Sequence, residues 1–164
     1  TLNFTATHWL SLVAVIAALT QWALTSVLTL YSARRQHTIS VLLQSRLSPA
    51  YQQRMRDIVN IYPTMPTLTK VAIDDWDDPQ KMEALEGVKY LLNYFEFVAI
   101  GIRTGDLDEK TLRRSLRDIV AVLTDMAQEY IRFARGELQQ TDGTASKLAY
   151  DELLWLKKRW KAPR

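Results

Sequence analysis

The sequence contains no cysteine, and no aspartate, glutamate, lysine or arginine precedes Arg34. The absence of cysteine excludes disulfides, thiolate metal ligands and cysteine nucleophiles. The two histidines, His8 and His37, flank the uncharged region, which argues against a metal site or a hydrolase site built on them. Strand-like alternation of apolar and polar residues is also absent. These absences predict an all-α protein whose first helix lies in apolar surroundings.

The uncharged region contains an apolar run from Trp9 to Tyr31, WLSLVAVIAALTQWALTSVLTLY. At about 1.5 Å per residue, a helix of this length spans the roughly 30 Å hydrocarbon core of a bilayer. Aromatic residues stand at both ends, where rings favour the headgroup interface. A cleaved signal peptide would carry its positive charge before a shorter apolar run, whereas here the charge follows the run. We therefore predict one transmembrane helix over residues 9–31.

The charge that follows the apolar run predicts its orientation. Residues 34–56 contain no acid and five arginines: Arg34, Arg35, Arg46, Arg54 and Arg56. Positive residues next to a span remain on the cytoplasmic side, and residues 1–8 carry no competing lysine or arginine. We expect residues 1–8 to be an external tail and the domain after the span to lie in the cytoplasm, at a bacterial inner membrane. Arg34 and Arg35 would contact lipid headgroups.

Proline marks the helix boundaries that follow. Apolar spacing carries the first helix on to about Leu47, and Ser48-Pro49 starts another, so residues 32–62 are predicted to form basic helices next to the membrane. Residues 63–78 contain two prolines and no sustained periodicity, which indicates a linker. Asp78-Pro79 repeats the helix-start signature and opens a small helical bundle over residues 79–164.

The bundle is expected to be organised around a central antiparallel helical hairpin. Its first helix, from Pro79 to about Arg103, is apolar nearly all round and should be the most buried element, with Phe95 at its centre. Thr104-Gly105 ends this helix, and Asp108 caps a second helix that runs to Arg135. The short link makes the two helices neighbours. A final amphipathic helix carries on one side Leu148, Leu153, Leu156 and Trp160.

Two polar residues, Asn93 and Glu96, interrupt the first helix of the hairpin one turn apart. A buried carboxylate there could act as an acid or base, or hold a partner's cation, which would make the protein a small membrane-tethered enzyme. The structural alternative is a buried polar pair that orients the bundle. In that case Glu96 forms an ion pair with an arginine of a neighbouring helix, the candidates being Arg113, Arg117 and Arg132.

Two charged clusters allow further binding hypotheses. The run IDDWDDP (73–79) lacks the ligand order, central glycine and terminal glutamate of an EF-hand loop, so we predict no metal site there. The last helix ends in Lys157, Lys158, Arg159, Trp160 and Lys161. These residues would contact a lipid surface or nucleic acid, or only complement the dipole of their own helix. We expect no nucleic-acid partner, no cofactor and no small-molecule substrate.

One face of the predicted span carries small and polar residues at spacings of three, four, three and four: Ser11, Ala14, Ala18, Gln21 and Thr25. Small residues let helices approach closely in lipid. Gln21 would lie near the bilayer centre, where a partner's polar group would satisfy its amide. This face predicts a homo-oligomer or a partner membrane protein. The alternative is that such residues are tolerated in a span that stands alone.

Three stretches resemble an uncharacterised family of bacterial and phage proteins that is defined by a domain of unknown function. They are ARRQHTISVLL (33–43), YLLNYFEFVAIGIRTGDLDEKTL (90–112) and LLWLKKRW (153–160). The resemblance implies one N-terminal span with a cytoplasmic helical domain, and it brings no catalytic residues. We therefore predict a non-enzymatic, membrane-anchored helical interaction module with an accessory, regulatory or phage-related role.

Overall fold

The structure, a computed structural model, describes residues 6–61, 79–138 and 146–161. Within these ranges the chain forms six helices: α1 (Ala6–Leu47), α2 (Pro49–Ile61), α3 (Pro79–Thr104), α4 (Glu109–Met126), α5 (Gln128–Ala134) and α6 (Asp151–Lys161). No described residue belongs to a β-strand. The predicted all-α class, with one long N-terminal helix followed by a helical bundle, is confirmed. The predicted linker at 63–78 lies outside the described residues.

The first helix, α1, is 42 residues long and continues without a break from the apolar run into the charged segment. No glycine or proline occurs between Ala6 and Leu47, so nothing in the sequence interrupts the backbone hydrogen bonds. α2 begins at Pro49, because proline is tolerated in the first turn of a helix and not in its interior. The predicted end near Leu47 and the new start at Pro49 are both confirmed.

α1 and α3 run in opposite directions and are linked through side-chain hydrogen bonds. The hydroxyl of Tyr94 in α3 donates a hydrogen bond to Oγ of Ser45 at 2.8 Å. Beyond the end of α3, the backbone N–H of Asp108 donates to Oγ1 of Thr38, also at 2.8 Å. The chain therefore runs along α3 in the direction opposite to its direction along α1. α4 then packs against α3, as the predicted hairpin requires.

α2 packs along α3, and these two helices are antiparallel to each other. The rings of Tyr51 and Tyr94 meet edge-on with their centroids 5.7 Å apart. Further along both helices, Arg54 and Ile58 lie against Gly87. A Cβ at position 87 would lie 3.2 Å from the carbonyl oxygen of Arg54, so glycine permits this close approach. The basic helices that follow the apolar run therefore share one core with the bundle.

The core lies between α2, α3, α4 and α6 and also includes Leu42 of α1. Phe95 is fully buried, as predicted. Side chains three and four residues apart point into this core along α3 and α4. They are Leu85, Val88, Leu91, Leu92, Val98, Ala99, Leu112, Leu116, Val120, Leu123 and Met126. α6 adds Leu153, Leu156 and Trp160.

The prediction that α3 is the most buried helix is confirmed, but one apolar face of it is exposed. Tyr90, Phe97 and Ile100 are 40 %, 61 % and 43 % exposed. These positions are three and seven residues apart, so they share one face of the helix. No described helix covers that face. α2, α4 and α6 pack on the remaining sides of α3, and its apolar composition exceeds what they bury.

The predicted single helix from Asp108 to Arg135 is in fact two helices. α4 ends at Met126, and α5 begins at Gln128 after Ala127 leaves helical geometry with ψ near 9°. One turn earlier, the hydroxyl of Thr124 donates to the carbonyl of Val120 at 2.7 Å. Such a bond back to the preceding turn weakens and bends a helix. The helix breaks within one turn after this bond.

The last helix begins later than the sequence pattern indicates. Tyr150 has a φ of 59°, a conformation that no α-helix continues through, and α6 starts at the next residue. Leu148 therefore lies outside the helix and is 73 % exposed. Its predicted place on the buried side of α6 is wrong. Leu153, Leu156 and Trp160 are buried there as predicted.

Candidate functional site

α1 is attached to the bundle through a buried hydroxyl. Thr38 is fully buried, and its Oγ1 donates to the carbonyl of Arg34 at 2.9 Å. The same oxygen accepts the backbone N–H of Asp108 at 2.8 Å. One hydroxyl thereby bonds both within α1 and to the turn between α3 and α4. The partly buried N–H of that turn needs such an acceptor, because an unpaired buried amide is costly.

A second hydroxyl repeats this arrangement two turns along α1. Ser45 donates to the carbonyl of Leu42 at 2.9 Å and accepts from the hydroxyl of Tyr94. Leu42 itself is buried in the core. We refer to residues 34–47 as the docked segment, because its contacts with α3 and α4 fix the bundle on one face of α1.

Two arginines of the docked segment also reach the bundle. Arg46 donates to the carbonyl of Ser115 in α4 at 3.2 Å. The guanidinium of Arg34 lies so close to Gly105 that any Cβ at this position would collide with it. Gly105 ends α3 with a φ of 86° and donates its N–H to the carbonyl of Ile102 at 3.2 Å. Glycine adopts this backbone conformation without steric strain.

The turn after α3 also carries a carboxylate that the docked segment stabilises. Asp108 accepts the N–H of Thr111 at 3.0 Å and caps α4, as predicted. The side-chain hydrogen bond from Thr111 lowers the pKa of Asp108, and the positive charges of Arg35 and Arg34 lower it further. The two arginines predicted at lipid headgroups therefore also act on a carboxylate of the bundle.

The rest of α1 stands clear of the bundle. Among the described residues, α1 is the helix long and apolar enough to cross a membrane. Every residue from 9 to 31 is exposed except Ser26, which is half-buried. The hydroxyls of Ser11 and Thr20 bond to carbonyls of their own helix, those of Thr7 and Ile16, at 2.9 and 2.8 Å. We refer to residues 9–31 as the apolar segment.

The five residues predicted as the span interface are exposed and share one face of the apolar segment: Ser11, Ala14, Ala18, Gln21 and Thr25. At about 100° per residue, this face is roughly 130° around α1 from the docked residues Thr38, Leu42 and Ser45. The bundle therefore lies on the far side of the helix from the predicted interface. Ile39 and Leu43, 41 % and 54 % exposed, continue the predicted face into the docked segment.

Glu96 caps the N-terminus of α6. Its two carboxylate oxygens accept the backbone N–H groups of Glu152 at 3.2 Å and Leu153 at 2.6 Å. N–H groups in the first turn of a helix have no partner inside that helix. Among the described residues, these backbone groups bind the carboxylate. The prediction that Glu96 pairs with Arg113, Arg117 or Arg132 is therefore wrong. The positive end of a helix dipole replaces the arginine.

The environment of Glu96 shifts its ionisation, but the predicted polar pair does not form. Partial burial raises the pKa of Glu96, and the two backbone hydrogen bonds oppose this effect. The carboxylates of Glu152 and Asp151 raise the pKa further. Asn93 is exposed, so the prediction that both residues are buried is wrong for Asn93. Glu96 alone remains, and both of its oxygens hold α6 in place.

The basic end of α6 is partly neutralised by α4. Arg159 donates two hydrogen bonds to the carboxylate of Glu109, at 2.7 and 2.8 Å. The indole N–H of Trp160 donates to the same carboxylate at 3.3 Å. The ring of Trp155 lies between Arg103 and Arg159, whose guanidinium carbons are 5.4 and 5.5 Å from its centroid. These contacts fix the last turns of α6 beside the start of α4.

A groove of about 740 Å³ lies between α4 and α6. Its charged lining consists of five basic and two acidic residues: Arg113, Arg114, Arg117, Lys157 and Lys161, with Asp118 and Asp125. Two bonds join its walls, from Lys157 to Asp125 at 2.7 Å and from Arg113 to the carbonyl of Trp160 at 3.1 Å. The groove therefore carries an excess of three positive charges.

The acidic residues at the turn after α3 bind neighbouring groups of the same turn and the start of α4. The hydroxyl of Thr104 donates to Asp106 at 2.6 Å, and Asp108 caps α4. Within the described ranges, no group of three or more His, Cys, Asp or Glu side chains is placed to hold a metal ion. Of the aspartate run at 73–79, all four aspartates lie outside the described residues.

The long helix and its docked bundle are matched together by one protein-family model. That model is the domain of unknown function DUF4760, and it covers residues 9–160. The chain belongs to the DUF4760 family. The predicted resemblance to a family of unknown function is thereby confirmed. No curated protein and no solved structure matches the chain.

The extent of the DUF4760 match is itself informative. It begins at Trp9 and ends at Trp160, so the apolar segment, the docked segment and the bundle all fall within it. The description of DUF4760 records no function, so it assigns no catalytic residue or ligand to this chain. Membership in DUF4760 supports the treatment of α1 and the bundle as parts of one unit.

Two features of the site were not predictable as such from the sequence. Thr38 and Ser45 share a face with Leu42 at spacings of four and three, and this pattern was the available signal for a docked helix face. No sequence pattern indicated the groove. Its basic residues come from helices that lie far apart in the sequence, and only packing brings them together.

Proposed function

We propose that this DUF4760 chain is a non-enzymatic, membrane-anchored interaction module that pairs with a second copy of itself through α1. The bundle would lie in the cytoplasm, at a bacterial inner membrane, in an accessory, regulatory or phage-related role. One observation carries the proposal. The bundle packs on one face of α1 and leaves the opposite face open from Ser11 to Leu43.

The exposed surface of the apolar segment supports membrane insertion. Trp22 and Leu30 are each 72 % exposed, within a segment whose large side chains nearly all face outward. Water-soluble proteins rarely leave so large a continuous apolar surface uncovered, whereas a bilayer accommodates it. Arg34 and Arg35 follow immediately, and basic residues next to a span favour the cytoplasmic side.

Two kinds of contact would join the copies along the open face. Inside lipid, Ala14, Ala18 and their neighbours would let the helices approach, and Gln21 would bond across the interface. Beyond the lipid, Ile39 and Leu43 would remove exposed apolar surface from water. Insertion in one direction keeps the two copies parallel and at the same height. Identical residues would therefore meet across a twofold axis.

The contacts of Glu96 support a non-enzymatic role. An acid–base site at this position would need a carboxylate free to reach a substrate. Both oxygens of Glu96 instead accept backbone N–H groups of α6. The exposed Asn93 lies outside this cap. No observation favours the alternative function of a small membrane-tethered enzyme.

Cysteine crosslinking in intact membranes tests the pairing, because the chain has no cysteine of its own. We expect Leu43→Cys in the full chain to form disulfide-linked dimers on mild oxidation, since the two copies of residue 43 would lie within bonding distance. Gln44→Cys is the matched control, because it is also exposed but lies roughly 100° around the helix. Equal crosslinking of both variants, or none of either, would contradict pairing through this face. Crosslinking of Leu43→Cys to a different protein would show that the partner at this face is that protein and not a second copy of the chain.

The same variants test the span and its orientation. Adding Gln21→Leu or Ala18→Leu to Leu43→Cys should lower the dimer yield, because each disturbs the span interface. An unchanged yield would exclude the predicted interface. A membrane-impermeant maleimide should label Gln44→Cys only after the cells are opened. Labelling in intact cells would overturn the orientation.

A further inference from the structure

The groove between α4 and α6 takes no part in the proposed pairing. Residues of α4 form one wall, and Lys157, Trp160 and Lys161 of α6 form the other. Its volume of about 740 Å³ falls within the roughly 300–1,000 Å³ of small-ligand sites. A ligand with the size of a lipid headgroup or a small phosphate ester would therefore fit.

The charges that line the groove are only partly compensated. Lys157 pairs with Asp125 at 2.7 Å, and Arg117 pairs with its neighbour Asp118 at 3.2 Å. Arg113 donates to the carbonyl oxygen of Trp160, and its charge also acts on the carboxylate of Glu109. The two remaining cations of the groove, Arg114 and Lys161, are exposed and form no ion pair within the described ranges.

The groove lies beside the joint between α1 and the bundle. α4 begins at Glu109, immediately after Asp108, whose N–H bonds to Thr38. The indole of Trp160, in the wall of the groove, donates to the same Glu109. Thr38 is four residues beyond Arg34, or about 6 Å along the helix axis. The end of the groove near Trp160 and Lys161 is therefore on the side of the bundle that faces the apolar segment.

We propose that this groove binds a net-anionic phosphate group, carried by a lipid headgroup or by a soluble phosphate ester. Arginine guanidinium groups match phosphate oxygens with paired N–H donors, and lysine supplies a compact positive charge. Arg114 and Lys161, on opposite walls, are the residues that bind the anion most directly. A lipid is the nearer source if α1 spans the membrane, and only this choice of source rests on the proposed function.

Calorimetric titration of the full chain in neutral detergent micelles tests the proposal. The lipid probe is dihexanoylphosphatidylglycerol, and dihexanoylphosphatidylcholine, with the same chains and no net charge, is its control. Glycerol 3-phosphate is the soluble probe. The groove variant combines Arg114→Glu with Lys161→Glu. A charge-matched variant combines Arg56→Glu with Lys147→Glu, which change two exposed residues outside the groove.

Each basic side chain near an anionic surface contributes about a fivefold factor in affinity, so the groove variant, which replaces two of them by acids, should bind at least about 25-fold more weakly. The charge-matched variant should bind like the unaltered chain. Selective binding of phosphatidylglycerol supports a lipid headgroup, and binding of glycerol 3-phosphate supports a soluble ester at the same site. Binding of neither probe, or equal loss in both variants, overturns the proposal. These titrations require no pairing of α1, so failure of the crosslinking test leaves their result unaffected.

Discussion

The two parts of α1 share one continuous backbone and have opposite surroundings. In the apolar segment, Thr20 donates its hydroxyl to the carbonyl four residues earlier and is exposed. In the docked segment, Thr38 makes the same internal bond, is fully buried, and also accepts the N–H of Asp108. The hydroxyl oxygen of Thr38 accepts a hydrogen bond in addition to the one that its O–H donates, and this makes the difference. A threonine in the apolar segment therefore bonds only within α1. A threonine in the docked segment also joins α1 to the turn between α3 and α4.

This comparison indicates how a rotation of the apolar segment would be transmitted to the bundle. No glycine or proline interrupts α1 between the two segments, so the helix can transmit a rotation from one to the other. Thr38, Leu42 and Ser45 then hold the bundle on a fixed face. A helix that turned within a dimer would carry the bundle with it.

The largest expected effect separates the bundle from the apolar segment. Phe95→Ala should cost about 3–5 kcal/mol, because it removes a fully buried ring from the core. A small domain has only about 5–15 kcal/mol of stability, so the bundle should unfold or be severely weakened. The apolar segment should stay helical in micelles, because its backbone hydrogen bonds are internal. Amide hydrogen exchange should therefore accelerate in residues 79–126 and remain slow in residues 9–31.

The matched control for this prediction is Phe97→Ala. It makes the same change on the same helix, at a ring that is 61 % exposed. We expect a loss below about 1 kcal/mol, in keeping with other surface substitutions. Similar losses from the two variants would show that the core of α3 is misplaced.

The second prediction compares one substitution in the two parts of α1. Leu42→Ala should destabilise the bundle by about 2–3 kcal/mol, the lower part of the usual range, since Leu42 is 9 % exposed at the edge of the core. Leu24→Ala should leave bundle stability unchanged, because Leu24 is 60 % exposed and touches no other helix of the described chain. Denaturant unfolding of the full chain in neutral micelles measures both. A loss of stability from Leu24→Ala would show that the apolar segment also contributes to the stability of the bundle, which contradicts the prediction.

The third prediction tests the hydrogen bond that the hydroxyl oxygen of Thr38 accepts. Thr38→Val keeps the shape of the side chain and leaves the N–H of Asp108 without its acceptor, which should cost roughly 1–2 kcal/mol. Thr20→Val removes only an internal bond and should have no measurable effect on the bundle. Thr38→Ser restores the hydroxyl and should recover most of the loss. Equal stability of the valine and serine variants would show that the hydroxyl does not hold the joint.

Much of the fold follows from local sequence signals. The ends of α1 and α3 are set by Pro49, Pro79 and Gly105, each of which acts through its own backbone geometry. The break at Ala127 and the late start of α6 were not predicted. The first is a change of backbone geometry at one residue and the second depends on one residue with positive φ, and neither changes the apolar pattern.

The candidate site was less predictable because its contacts join distant parts of the chain. The polarity of Glu96 marked it as unusual, but its partners are backbone N–H groups of α6, which no residue type reveals. The sequence indicated an arginine as the partner, because only charged side chains can be read from it. A helix terminus supplies positive potential without a charged side chain. The apolar face of α3 posed the reverse problem, because composition cannot tell a buried face from an exposed one.

The smallest effect should come from pH, and it should leave the apolar segment unaltered. No aspartate, glutamate, histidine, lysine or arginine occurs from residue 9 to 33. In the bundle, partial burial raises the pKa of Glu96 above its ordinary value of about 4.3. The folded state therefore binds this proton more tightly than the unfolded state. The resulting stabilisation is complete below about pH 4.3 and is lost as the pH rises through the folded-state pKa.

Glu96→Gln removes this dependence, so the stability of the unaltered chain relative to the variant should increase as the pH falls from 7 towards about 4.3. Glu109→Gln should show the opposite trend. The hydrogen bonds from Arg159 lower the pKa of Glu109, so its contribution is present above about pH 4.3 and lost as the pH falls through the folded-state value. Thermal unfolding in neutral micelles at several pH values measures both differences. If the two variants change in the same direction, Glu96 does not occupy the partly buried cap of α6, and α6 is held by its ion pairs alone.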